Sequence, residues 1–330
     1  MKSIKIFFGP QTLNILDAVI EYDIENPNRT GIITSRNQIE SKKYGSSYLF
    51  DNKSKFVKYV KRKNKNIKIC RDHGGIFKNN FEKRLTYKNA YKNSLDSIIE
   101  DADLKFNYIH LDPENFKKRF IESEHFINNL IKTNKKILLE FGEEKKMLNL
   151  DKKKYMNDLH FFSKFEKNSK YILSYTKSYI RNGKNYIKFN TKDNNFILNE
   201  AKKFKLNIKD HNCDFLSKIN LKKKVKLGIK NFNIAPELSF LENEYLLNIS
   251  KKFKLINEFN SFANFVVKNN KWKEWANKNV NKNLKFKLSA HYFYKTNYYD
   301  KLLKKLEKNV NYNLDIKNYL KKIIHSKFVN

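Results

Sequence analysis

The sequence contains little cysteine, proline and glycine, and it lacks a long apolar run. Two cysteines in 330 residues cannot form a disulfide framework, so a reduced, cytoplasmic protein is expected. No uncharged apolar stretch reaches the roughly 18 residues of a membrane-spanning helix, and the N-terminal apolar stretch is too short for a signal peptide. Four prolines and eight glycines provide no interdomain linker and no GxGxxG turn after an early strand, which disfavours a dinucleotide-binding sheet.

The sequence contains 69 lysines and arginines but only 34 aspartates and glutamates, so its net charge is +35. A charge of this size is compatible with binding to nucleic acid or to an anionic membrane. Only seven of the basic residues are arginines, however. The planar guanidinium group of arginine is the side chain that most often makes specific hydrogen bonds to bases. The lysines are spread along the chain, as the codon bias of an AT-rich genome would produce. We therefore expect solvated lysine faces, with neither membrane nor nucleic acid as partner, and polyanion binding is the alternative.

Short apolar runs that each end in a polar residue recur at near-even spacing, with amphipathic helical patterns between them. Alternating strands and helices favour a parallel sheet, and polar strand ends are typical of an α/β TIM-type (β/α)8 barrel. We expect a single-domain barrel over residues 1–295 with a C-terminal helical extension over 296–330. An open doubly wound sheet is the alternative. The predicted strands are 31–35, 67–72, 106–112, 137–140, 171–176, 206–211, 232–235 and 285–291.

The chemistry of such barrels lies where the strands end, so polar residues at strand ends are the candidates for a site. Asp72-His73-Gly74-Gly75 offers a carboxylate and an imidazole that can carry protons or bind a metal, and glycines that let the backbone approach a ligand. A histidine that only caps a loop is the alternative. Asp112 would hydrogen-bond the substrate or orient a ligand, while His110, on the same face of its strand, is expected to pack in the core.

A metal site is predicted from residues at three separate strand ends. His73, Glu140 and His211 offer two imidazoles and one carboxylate, a set that suits zinc or a similar divalent ion with one open position. These residues are far apart in sequence, so the prediction depends on their shared position at strand ends. The two cysteines are expected to be structural, since Cys70 alternates to the face opposite His73 and Cys213 lies beyond its strand.

The remaining candidates would bind the substrate. The loops after the last two strands of a barrel often hold phosphate, and a cationic side chain near a strand end can pair with a phosphate or carboxylate. The residues predicted to bind substrate or phosphate are Ser35, Arg36, Gly74, Lys177, Arg181, Asn233 and Glu237.

Taken in order, seven segments resemble the tagatose-bisphosphate aldolase accessory (non-catalytic) subunit family, relatives of the class II zinc-dependent ketose-bisphosphate aldolases. The segments are 31–40, 69–75, 94–114, 138–144, 209–218, 231–240 and 290–294. The resemblance implies a TIM-type barrel, a phosphorylated sugar as substrate and zinc as cofactor. Asp72 and His73 match the proton-transfer carboxylate and a zinc ligand of the catalytic aldolases. His211 matches a second ligand, and Glu140 matches a glutamate near the metal.

One position departs from the catalytic aldolases, which carry a histidine after the fifth strand where this chain has Ser174-Tyr175-Thr176. Glu140 is one replacement for that ligand. The first hypothesis is a metal-dependent aldolase-like enzyme that cleaves or forms a carbon–carbon bond of a ketose bisphosphate. In it, Asp72 would move the proton and backbone N–H groups near Ala235 would hold phosphate. The second is a non-catalytic barrel subunit that supports an aldolase catalytic subunit. A homo-oligomer is expected.

Overall fold

The computed structural model describes residues 4–143, 150–174, 178–187, 190–277 and 279–328. Eight parallel strands close into a barrel, and a two-stranded hairpin follows the sixth of them, so the predicted TIM-type (β/α)8 fold is confirmed. In chain order the strands are β1 (Lys5–Phe8), β2 (Thr30–Thr34), β3 (Lys68–Gly74), β4 (Tyr108–Leu111), β5 (Leu138–Phe141), β6 (Ser169–Leu173), the hairpin strands β7 (Ser178–Arg181) and β8 (Lys184–Ile187), β9 (Asn207–Asp210) and β10 (Asn231–Ile234).

A helix follows each barrel strand. Polar side chains begin several of these helices: the hydroxyl of Thr12 accepts a hydrogen bond from the Ile15 N–H at 3.2 Å, and the Asn52 side chain accepts from the Lys55 N–H at 2.8 Å. The helices around the barrel are α1 (Leu13–Glu25), α2 (Lys53–Lys63), α3 (Tyr87–Asp103), α4 (Arg119–Thr133), α5 (Lys152–Ser163), α6 (Thr191–Lys203), α7 (Lys218–Lys226) and α8 (Pro236–Lys252). They are followed by α9 (Ile256–Lys268), α10 (Lys282–Ser289), α11 (Asn297–Leu306) and α12 (Tyr312–Lys327).

In the barrel and its surrounding helices, apolar side chains form two layers. The larger layer lies between the strands and the surrounding helices, and the smaller one fills the inside of the barrel. Burial of each large apolar side chain contributes about 1.5–3 kcal/mol to stability. The inner layer leaves the carboxyl end of the barrel to polar groups, and it consists of Phe7, Ile33, Cys70, Tyr108 and Tyr171.

The predicted eighth strand, 285–291, is wrong, because this segment lies in α10 and the 3-10 turn after it. Phe286 packs on Phe259 with ring centroids 4.8 Å apart, whereas Leu288 belongs to a separate apolar cluster around Trp272. Two apolar residues two positions apart therefore contact different sides of a helix, which imitates the alternation of a strand. The barrel strand that the prediction missed is β1, a run of four residues that pairs with β2 and β10.

The chain after residue 295 is helical, as predicted, and it returns to the start of the barrel. Phe328 stacks on Tyr22 of α1 with ring centroids 5.3 Å apart, and the apolar face of α12 is buried. The boundary at residue 295 stays a prediction. None of the helices in the described part of the chain combines the length and the apolar character needed to cross a bilayer.

Candidate metal centre and cavity

A bulge at the end of β3 brings an extra side chain into the barrel. The register of β3 against β4 shifts between Arg71 and Gly74, and His73 has a left-handed backbone with φ of 49°. Alternation is interrupted there. Cys70 belongs to the inner apolar layer, and Asp72 and His73 line the cavity above it. The prediction that Cys70 and His73 lie on opposite faces is therefore wrong.

Asp72, His73 and His110 form a compact cluster, which we call the acid–imidazole group; their potential ligand atoms lie within 4.8 Å of one another. Asp72 Oδ1 is 3.5 Å from His110 Nδ1, and Asp72 Oδ2 is 3.6 Å from His73 Nε2. His110 Nε2 lies 2.9 Å from the carbonyl oxygen of Gly142. A carbonyl only accepts, so this geometry assigns a proton to Nε2. The other ring nitrogen, Nδ1, lies 3.4 Å from the backbone nitrogen of His73. His110 is buried as expected, but it belongs to the site.

The acid–imidazole group fits a divalent cation. Asp72 Oδ1 is buried and, among the described residues, has no partner in hydrogen-bonding geometry. Burial favours a higher pKa for Asp72, but His73 and His110 lower this pKa far below its usual range, so the carboxylate is charged at neutral pH. One carboxylate and two imidazole nitrogens are donors that suit zinc and similar ions.

Asp112 lies behind His73, in a position that orients the imidazole. Its buried carboxylate is 3.1 Å from His73 Nδ1, 2.7 Å from Lys78 Nζ and 3.1 Å from the Glu114 N–H. Burial opposes ionisation of Asp112, but the hydrogen bond from His73 and the charge of Lys78 lower its pKa well below the usual range. A carboxylate at Nδ1 fixes the ring and leaves Nε2 toward the acid–imidazole group. The sequence did not single out Lys78.

Glu140 and His211 form a pair beside the acid–imidazole group. Glu140 Oε2 lies 3.6 Å from His211 Nε2, and the rings of His211 and His110 have centroids 4.8 Å apart. Glu140 Oε1 accepts a hydrogen bond from Lys209 Nζ at 2.6 Å. The predicted ligand set is thus divided: His73 joins Asp72 and His110, while Glu140 and His211 are neighbours of that group.

A cavity of about 720 Å³ opens in front of these residues. Asp72, His73 and His211 line it, as do Ser35 and Asn233 from the predicted substrate residues. Asn233 Nδ2 lies 2.8 Å from His211 Nε2. The volume falls in the range of pockets that enclose small molecules of sugar size.

Four other predicted substrate residues, Arg36, Gly74, Arg181 and Glu237, are not part of the cavity lining. Arg36 is fully buried, and its guanidinium pairs with Glu40 and Glu82 at 2.6 Å each, which gives it a structural position. A Cβ at Gly74 would lie 2.7 Å from the His110 carbonyl oxygen, so this glycine permits close strand contact. Arg181 Nε donates to an asparagine side chain after the 3-10 turn at Lys271–Glu274. Lys177 lies outside the described residues.

The turn between β10 and α8 differs from the sequence-based expectation. Asp214 Oδ1 accepts hydrogen bonds from the N–H groups of Ala235, at 2.9 Å, and Glu237, at 2.8 Å. The backbone donors predicted to hold phosphate are therefore engaged by a carboxylate of the chain. Glu237 itself is buried, and its Oε2 accepts from the Phe215 N–H at 2.7 Å.

No model of a known protein family matches this sequence, and no curated protein matches it. Solved structures match its fold. A probable tagatose 6 phosphate kinase from Sinorhizobium meliloti 1021 is 13% identical with a TM-score of 0.74, over 92% of this chain and 86% of that one. Fructose-bisphosphate aldolase from Campylobacter jejuni is 12% identical, with a TM-score of 0.53 over 76% and 77%. The YdjI aldolase from Escherichia coli K12 is 13% identical, with a TM-score of 0.45 over 92% and 90%.

Proposed function

We propose that this chain is a metal-dependent protein of the class II aldolase type, which cleaves or forms a carbon–carbon bond of a phosphorylated sugar. One feature carries the proposal: the acid–imidazole group stands at the carboxyl end of a TIM-type barrel, open to a cavity of sugar size. The sequence resemblance supports the same class. A fructose-bisphosphate aldolase among the structures of similar fold agrees with it.

In this proposal Asp72, His73 and His110 hold the ion, for which zinc is our first candidate. A divalent ion bound there supplies Lewis acidity, which polarises a substrate ketone and stabilises negative charge at the adjacent carbon. Asp112 holds the His73 ring through Nδ1 at 3.1 Å. His110 keeps its proton on Nε2, at the Gly142 carbonyl, and therefore offers Nδ1.

His211 is our candidate for the proton transfer. It faces the cavity, and Glu140 and Asn233 flank its Nε2 at 3.6 and 2.8 Å. A neighbouring carboxylate stabilises an imidazole that gains a proton, as general base catalysis requires. The sequence assigned proton transfer to Asp72. Because Asp72 is a metal ligand in this proposal, the proton-transfer role passes to His211.

The proposal is tested by elemental analysis of the purified protein after incubation with zinc and removal of free metal. We expect about one ion per chain in the wild-type protein. The ligand variants His73→Ala, His110→Ala and Asp72→Asn should lose it, whereas His211→Gln should retain it and lose turnover of ketose phosphates. His160→Ala, on the exposed surface of α5, is the matched control.

A wild-type protein that stays metal-free after incubation with zinc would overturn the proposed enzyme function. Loss of metal in His211→Gln would return His211 to the ligand role. Retention of metal with loss of turnover in Asp72→Asn would return Asp72 to proton transfer.

The second candidate function is a non-catalytic barrel subunit that supports an aldolase catalytic subunit. One observation favours it: Ser174, at the end of β6, offers a hydroxyl rather than an imidazole, and this hydroxyl donates to Asp210 Oδ1 at 2.6 Å. Such a subunit would be inactive alone, would bind no metal and would restore or increase the activity of a co-purified aldolase chain. The zinc measurement and the co-purification together separate the two functions.

A further inference from the structure

The turn that opens α8 is the place where barrels of this kind commonly bind phosphate, because backbone N–H groups and the helix dipole favour an anion there. In this protein Asp214 occupies that position. Its Oδ1 accepts from Ala235 and Glu237 at 2.9 and 2.8 Å, and Pro236 between them has no N–H group. The carboxylate thus takes up the two donors in the way that an oxygen of a bound anion would.

Asp214 is held in place by its own loop. Asp214 is buried, with 2% of its surface exposed. Asn185, on the hairpin strand β8, donates through Nδ2 to the carbonyl oxygens of Asn212 at 2.7 Å and Asp214 at 2.8 Å. These two bonds fix the backbone on both sides of Cys213, so an entering anion would have to displace a fixed carboxylate.

A second acidic side chain, Glu237, is fixed in the same turn. Glu237 follows Pro236, and its Oε2 accepts from the Phe215 N–H at 2.7 Å while its other oxygen pairs with Lys327. Burial, together with the charge of Glu237, raises the pKa of Asp214 to about 8. Asp214 therefore holds a proton at neutral pH. It excludes phosphate by occupying the two N–H donors rather than by its charge, and a carboxyl group still forms hydrogen bonds with hydroxyl groups.

The cavity reaches this turn, since Asp214, Ala235 and Pro236 are among its lining residues. The lining side chains on β10 and after β1 include the uncharged amides of Asn233 and Gln11. We propose that Asp214 determines specificity by excluding phosphate from this turn, and that the end of the substrate that lies here carries hydroxyl groups only. This inference deepens the proposed function, on which it rests for the sugar; the phosphate of that sugar lies elsewhere in the cavity.

The probe is inorganic phosphate, and the readout is the amide signal of Ala235. The chain carries 62 lysines, so a bulk binding measurement would report phosphate at many surface positions. Alanine is scarce, and selective ¹⁵N-alanine labelling resolves the Ala235 N–H, which is one of the two donors to Asp214. The Ala235→Gly variant assigns the signal.

We expect no saturable change of the Ala235 signal in the wild-type protein as phosphate is added. In Asp214→Ala the signal should shift saturably, with a phosphate affinity at least about tenfold higher than in the wild-type protein. Asp214→Ser, which keeps a small acceptor at this position, provides the same comparison if the alanine variant does not fold. The matched control is Asp151→Ala, which removes the carboxylate at the N-terminus of α5, away from the turn.

A saturable shift of Ala235 in the wild-type protein would overturn the inference, because the turn would then accept phosphate. The absence of a saturable Ala235 shift in the wild-type protein and in both Asp214 variants would also overturn it, because something other than Asp214 would then exclude the anion. The titration involves neither metal nor turnover. If the wild-type protein binds zinc and its Ala235 signal shifts saturably with phosphate, only this inference is disproved. If the wild-type protein binds no zinc but its Ala235 signal shifts only in the Asp214 variants, only the proposed enzyme function is disproved.

Discussion

Lys209 is a charged residue inside the barrel, two positions before His211. Its Nζ lies 2.6 Å from Glu140 Oε1 and 3.8 Å from the ring centroid of Phe7, and both charged side chains are fully buried. Burial alone would raise the pKa of Glu140, but Lys209 and His211 lower it to about 2. The charge of Glu140 at neutral pH therefore depends on Lys209.

We predict that Lys209→Met destabilises the protein by about 3–5 kcal/mol, because it leaves Glu140 buried without its partner. The double variant Lys209→Met, Glu140→Gln should recover a large part of that loss, since it removes the uncompensated charge. Urea unfolding at neutral pH measures both. Equal losses in the single and double variants would show that the pair does not interact as the geometry implies.

The sequence predicted the type of site, a metal site at the strand ends, better than it predicted which residues form that site. Asp72 and His73 were visible because they end an apolar strand. Alternation also gave the inward direction of His110, but only the bulge in β3 brings His73 to it, and no pattern in the sequence specifies that bulge. The role of Asp214 was not predictable, because it depends on a loop that folds back onto residues more than 20 positions later.

At the scale of elements, Glu242 joins α8 to the start of α1. Its buried carboxylate accepts hydrogen bonds from Thr12 Oγ1 at 2.6 Å and Asn14 Nδ2 at 2.9 Å. Burial raises the pKa of Glu242 to about 7, and the two hydrogen bonds offset only part of that rise. In the unfolded chain the same group titrates near 4.5. The folded protein therefore holds a proton that the unfolded chain releases.

We predict that this proton makes stability depend on pH. Between about pH 4.5 and 7 the folded state binds more protons than the unfolded state, so stability decreases as the pH rises through this window, by on the order of 3 kcal/mol. Glu242→Gln should remove that part of the slope. Urea midpoints across the window measure the effect, with the exposed Glu124→Gln as control; identical slopes in the wild-type protein and Glu242→Gln would contradict the assignment.

Strands and helices were predictable to different degrees for a physical reason. Runs such as Tyr108–Leu111 are buried on both faces and largely apolar, with His110 as the exception, and such runs stand out between amphipathic helices. β1 has only four residues, so its signal is short. The sequence of α10 has the alternating pattern of a strand because Phe286 and Leu288, two positions apart, pack into two different apolar clusters.

At the scale of the whole molecule, the charge of +35 is distributed rather than concentrated. Several lysines are paired with acids, among them Lys53, Lys78, Lys209 and Lys224. We predict no saturable binding of double-stranded DNA at about 150 mM salt, where exposed charges are largely screened. Fluorescence anisotropy across a salt series measures this, and tight binding that persists at that salt concentration would assign a polyanion as partner.

The barrel closes between its first and last strands, since Lys5 of β1 pairs with Asn231 of β10, and Phe328 then covers Tyr22 of α1. During synthesis on the ribosome, β1 and α1 emerge before the other elements of the barrel, and long before β10 and Phe328, which they contact. Contacts so distant in sequence form slowly and late. A nascent chain that stalls before residue 231 would leave the apolar sides of these first elements uncovered, and chaperones and proteases would recognise the fragment there.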